Sequence, residues 1–98
     1  MNDQALVGAL QASGHVTEEQ VSRWREAAAL MATLEAIGRD GATAVVKVDG
    51  GRPDAVYTVV VSGPRLGEAF FRKDGSDVLA LLRDAIEFYK FEVWSRHS

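Results

Sequence analysis

The stretch Ala42–Ser62, ATAVVKVDGGRPDAVYTVVVS, decides the fold. It holds two β-branched runs, ATAVVKVD (42–49) and AVYTVVVS (55–62), with Gly50, Gly51, Arg52, Pro53 and Asp54 between them. Runs of this composition bounded by glycine and proline read as strands, and a short glycine-containing spacer joins them as an antiparallel hairpin. In the first run Ala44, Val46 and Val48 share one face, and Thr43, Lys47 and Asp49 alternate with them. The second is apolar on nearly both faces, the pattern of a central strand. Asp49-Gly50 and Gly50-Gly51 are dipeptides that tolerate positive φ, and Pro53 suits a strand start because it has no ladder donor to lose. An anion cradle would place a helix N-terminus after the glycines, whereas here a strand follows. Arg52 is then one basic residue at the end of a sheet.

Downstream, SGPRLG (62–67) is a second turn and EAFFRK (68–73) a third strand, which completes a meander of strands at about 42–49, 55–62 and 67–73. A helix over about 76–95 follows, with Asp77 favourable in its first turn. Its apolar positions Val78, Leu82, Ala85, Ile86, Tyr89 and Val93 fall within about 100° of arc, so it packs across the sheet. Upstream, Asp3 caps a helix over about 3–13 on which Leu6, Val7 and Leu10 share a face, and Gly14 ends it in the left-handed conformation. Thr17 with Gln20 forms a capping box and Val16 with Val21 a hydrophobic staple, opening a helix over about 17–37 that Gly38 stops. Its apolar residues, including Trp24, Leu30, Met31, Leu34 and Ile37, cover about 180°, wide enough for two neighbours, the first helix and the sheet. The predicted fold is α+β in the order α-α-β-β-β-α: an N-terminal helical hairpin, a three-stranded antiparallel meander and a C-terminal helix packed on the sheet. It forms one compact domain over 1–98.

Composition agrees with a single globular domain: 98 residues, 47% hydrophobic and 26% charged. The chain has no cysteine, which removes disulfides and thiolate metal sites and fits a cytoplasmic location. The opening MNDQALVGALQASG lacks a basic segment and its apolar stretch is broken by Gly8, unlike a signal peptide. No apolar run approaches the roughly 18 residues of a membrane span. A net charge of −3 argues against general phosphate binding.

Catalytic chemistry finds little support. His15 and His97 have no ligand partner at metal spacing, no serine lies in a nucleophile elbow, and Glu18, Glu19, Asp74 and Asp77 sit where helix starts explain them. The expectation is no enzyme, no metal and no cofactor.

Two resemblances touch nucleic acid. ALQASGHVTEEQVSRWR (9–25) resembles a helix-turn-helix unit in its Val21-to-Trp24 spacing, but Gly14 lies one residue too far upstream and Glu18 and Glu19 open the recognition helix. From the second helix onward the element order is similar to the double-stranded-RNA-binding domain. DGSDVLALL keeps that family's Gly75 and Ser76 but has Asp77 and Val78 where its lysines stand. The resemblance implies a surface on the sheet and its basic rim, drawn from Arg52, Arg72, Lys73 and an exposed aromatic such as Phe70.

The residues left over point to a protein partner. Phe91 and Trp94 lie about 130–190° from the last helix's apolar stripe, beside Arg83, Glu87 and Lys90. Aromatics and arginine on a charged face mark interface hot spots, unless the N-terminal helix folds over them or the frayed end tucks back. Phe70 and Phe71 face opposite ways, and the outer one is expected to join Tyr57 or Val59 in an exposed patch suited to a homodimer. If a partner is basic, Glu18, Glu19 and Glu26 form a competing surface. The expected function is a small acidic protein-binding module that inhibits or neutralises a macromolecular partner. In size, charge and plain composition it is similar to phage and bacterial inhibitors such as anti-CRISPR and toxin-immunity proteins. The alternative is nucleic-acid binding through the sheet. If the second helix starts at its capping box, Thr17→Ala lowers unfolding free energy by about 0.5–2 kcal/mol in urea titration.

Overall fold

Residues 2–95 are described by the computed structural model, except for the side chain of Trp24, so the place of Trp24 on the apolar arc of its helix and the surroundings of His97 lie outside the described residues. The architecture is α+β, with helices, then three antiparallel strands, then a helix: α1 (Asp3–Ala12), α2 (Glu18–Ser22), α3 (Trp24–Arg39), β1 (Thr43–Val48), β2 (Tyr57–Ser62), β3 (Phe71–Gly75) and α4 (Val78–Tyr89). The sheet order is β1-β2-β3 with both pairs antiparallel, so β2 is central, as its two-sided apolar pattern requires.

Local chemistry explains most boundaries. Asn2, not Asp3, caps α1 by accepting the Ala5 N–H at 2.8 Å. Gly14, at φ +83°, ends it, and the His15 N–H returns to the Leu10 carbonyl. The Thr17–Gln20 capping box forms in both directions. The long second helix, however, is two helices. At Arg23 (φ −90°, ψ 9°) the backbone leaves α-helical geometry, and its N–H bonds back only three residues, to the Gln20 carbonyl. α3 then runs past Gly38 to Arg39, and the stop is Gly41, at φ +94° just beyond the Asp40 cap.

The link between the first two strands is longer than a tight hairpin. Asp49 closes a turn by accepting the Gly51 N–H on its side chain and the Arg52 N–H on its carbonyl. Neither Gly50 nor Gly51 uses positive φ; Ala55 does, at +47°. Pro53 lies in this loop and not at the strand start, because β2 begins at Tyr57. The third strand is displaced towards the C-terminus of its expected range. A 3₁₀ turn at Pro64–Leu66 and a bond from the Ala69 N–H to the Leu66 carbonyl consume the residues before Phe71. Asp77 is the cap of α4, accepting from the Leu79 and Ala80 N–H groups, rather than part of its first turn.

One face of the sheet carries the core. Val59 and Val61 are fully buried between the strands and α3 and α4, with Ile37, Leu34, Leu82, Ala85, Tyr89 and Val93 opposite them. Strand pairing sets Ala44 against Val61 and Val61 against Phe71, so Phe71 is the inward phenylalanine; it meets Phe88 at 5.8 Å between ring centroids. At the sheet corner Gly63 passes so close to Ala42 that an added Cβ would lie 2.7 Å from its Cα. Gly63→Ala therefore costs about 1–3 kcal/mol of stability, read as a lower denaturant midpoint with unchanged slope.

Candidate interaction surfaces

The end of α4 departs from an α-helix and sorts the two suspected aromatics. Lys90–Trp94 is a π-helical turn. In an α-helix a residue five past Tyr89 lies about 140° round the axis from it. The wider turn advances each residue by less, so Trp94 swings back to the side of Tyr89. The rings meet edge to face at 5.2 Å, and the Trp94 indole N–H donates to Asp40 Oδ2 at 2.8 Å. The Tyr89 hydroxyl donates to the same oxygen at 3.0 Å. Trp94 is thus half-buried structure, and neither the N-terminal helix nor solvent claims it. Phe91, two residues after Tyr89, stays on the opposite side and is 66% exposed. Glu87 and Lys90 are exposed beside it, and Arg83, one turn before Glu87, is held by an ion pair to Glu26 of α3. The surface is therefore Phe91 with Glu87, Lys90 and Arg83, without Trp94.

The basic rim is largely spoken for. Arg52 is paired with Asp49 and Asp74 at 3.5 Å each and donates to the Ala55 carbonyl. Asp74 also accepts from the hydroxyl of Thr58, a buried polar residue on the outer face. Lys73 does not share that face: its partner across the ladder is the core residue Val59, and its ammonium bonds Asp84 of α4 at 2.7 Å. Arg72 alone of the three remains exposed on the outer side. Phe70 is 61% exposed, just before the ladder. It does not meet Tyr57 or Val59, which face the helices; the outer apolar residues are Val45, exposed, and Val60, half-buried and paired with it. Of the acidic surface, Glu18 and Glu19 are exposed, while Glu26 is engaged by Arg23 and Arg83.

A further uncovered surface did not follow from patterning. α1 buries none of its residues and does not cover α3. Met31 is consequently exposed, and with Leu34, Ala42, Ala44 and Val46 it lines an open groove between α3 and the free edge of β1. Asp40 also escaped sequence reading: a C-cap aspartate has no local signature of the two donors reaching it from 49 and 54 residues away.

Among the described residues His15 takes part in a local contact, its Nδ1 2.6 Å from Ser13 Oγ. Among the described residues no cluster of three His, Cys, Asp or Glu could hold a metal, and no helix is long and apolar enough to cross a membrane. Compared with protein-family models, curated proteins and solved structures, the chain matches none.

Two carboxylates carry a pH signature. The Trp94 indole N–H, against partial burial and helped by Tyr89 and Arg65, holds Asp40 below the ordinary 3.8, and the Thr58 hydroxyl with Arg52 does the same for Asp74. Burial first, and the Asp40 carboxylate second, pushes the Tyr89 phenol above 10.0. A native value below the unfolded one means that the Asp40 contribution is complete above the unfolded value and is lost as pH falls through the native one. Asp40→Asn therefore melts below wild type at neutral pH, and the gap between the two narrows as pH falls below about 4. Parallel melting curves across that range would show that the Asp40 charge contributes nothing.

Proposed function

We propose that this protein is a small protein-binding module that inhibits or neutralises a macromolecular partner by protein–protein contact, docking through the α4 surface centred on Phe91. The observation that carries the reading is a 66%-exposed phenylalanine on a well-anchored helix, ringed by the exposed charges of Glu87 and Lys90. An aromatic that fills a partner's pocket inside a polar rim has the anatomy of a hot spot. The Arg83–Glu26 pair and the Tyr89–Trp94–Asp40 cluster hold the flanking backbone before any partner arrives. Little ordering cost is then left for binding. Size, acidity and simple α+β build are those of phage and bacterial inhibitors of the anti-CRISPR and toxin-immunity kind, acting in the cytoplasm without a cofactor. Against the nucleic-acid alternative stands the neutralisation of Arg52 by Asp49 and Asp74 and of Lys73 by Asp84, which leaves Arg72, among the described residues, as the member of the three without an ion pair.

The test is affinity capture from the native host, followed by titration of the purified partner with wild type and with Phe91→Ala. The variant keeps its melting temperature, because the side chain it loses is exposed, and weakens binding about 30-fold or more, as a hot spot of about 2 kcal/mol requires. Equal affinity of the two proteins refutes the surface. Micromolar binding of duplex RNA or DNA that weakens steeply with salt would replace the whole reading by the nucleic-acid one.

A further inference from the structure

The chain exposes more surface than a folded chain of its mass requires. Its accessible area is 6783 Å², against about 5,500 Å² for a compact monomer of 10.6 kDa. Its radius of gyration is 15.5 Å, against about 13 Å for this length. Part of the surplus of about 1,300 Å² belongs to α1 and α2, none of whose residues is buried.

The surplus includes one sheet edge. β3 is guarded by Arg72, Lys73 and Asp74 in succession, the usual protection of an edge strand. β1, TAVVKV, has Lys47 as its only charge, no proline and no bulge in its one-to-one pairing with β2. The Asp49 N–H donates inward to the Val56 carbonyl at 2.7 Å. Alternation along an antiparallel pair then turns the N–H and C=O groups of Ala44, Val46 and Val48 outward, away from β2. Side chains of these same residues face the helix layer, and there Val46, in the groove with Met31, and Val48, 67% exposed, are uncovered. Free main-chain groups and unburied apolar side chains thus coincide on Val46 and Val48, while Ala44 packs against the core.

We infer that β1 pairs with β1 of a second copy, antiparallel about a two-fold axis at Val46, to give a continuous six-stranded sheet. The strand is its own complement in that register. Val46 lies opposite Val46, Ala44 opposite Val48, Val45 opposite Lys47 and Thr43 opposite Asp49, so no like charges meet. Same-face residues stay on the same face, which puts the two α3 layers on one side and closes the Met31 groove from both directions. A two-fold contact is isologous, so one patch covers itself and no further edge is left open except the charged β3 edges. The interface uses none of the α4 residues around Phe91 and stands or falls apart from the binding function proposed above.

Sedimentation equilibrium over about 1–500 µM gives a mass near twice 10.6 kDa for wild type. Val46→Lys places two ammonium groups against each other on the axis and raises the dimer dissociation constant at least 100-fold. The substitution site is on the exposed edge, and circular dichroism with thermal melting confirms that the monomer is folded. Val45→Glu faces Lys47 of the second copy and keeps the dimer, whereas a register centred on Val45 would oppose two carboxylates and lose it. Phe91→Ala remains dimeric. A wild type that is monomeric throughout the range, or a Val46→Lys protein as dimeric as wild type, overturns the proposal, and loss of the dimer in Val45→Glu overturns its register.

Discussion

The fold turns on one carboxylate that closes the two ends of its helical layer. Asp40 caps α3, and the same residue takes both the Tyr89 hydroxyl and the Trp94 indole on a single oxygen. Hydrogen bonds to an ionised acceptor are about twice as strong as neutral ones, and here they restrain two large aromatic side chains at once. The buried face of the sheet depends on that restraint, because Tyr89 and Val93 complete the layer over Val59 and Val61. The π turn is the geometric concession that brings Trp94 within reach.

From that anchoring follows a division of labour on α4. The inward side is fixed by core packing and by Asp40, and the outward side carries Arg83 and Glu87, continued by Lys90 and Phe91 of the π turn. A binding surface built this way owes its shape to the core beneath it. Charges elsewhere pair mostly within the molecule: Arg52 with two aspartates at the loop end of the sheet, Lys73 with Asp84 across to the helix.

What patterning made legible was what local chemistry controls. The β-branched runs gave strands, the capping box appeared at Thr17, and the apolar stripe of α4 became its buried side. The third strand slid because a 3₁₀ turn has no periodicity to betray it, and α3 outran Gly38 because a glycine permits a stop without forcing one. Phe91 and Trp94 looked equivalent on a helical wheel, and only the change of turn at Lys90 separated them. The breadth of apolar surface on α3 predicts cover by α1. Met31 stands exposed instead, and the same breadth now describes a groove beside β1.

The long reach from Asp40 to its donors has a consequence for synthesis on the ribosome. The chain emerges with α3 and the meander ahead of α4, and the strand pairs are local, so the sheet can assemble as soon as its residues are out. Its inner face, with Val59 and Val61, then stays open to water until Tyr89 and Val93 leave the exit tunnel. During that interval the nascent protein presents a sheet lacking the α4 part of its helical cover, with an unguarded edge at β1. It is the stage at which neighbouring nascent chains, or a holding chaperone, would find it most adhesive.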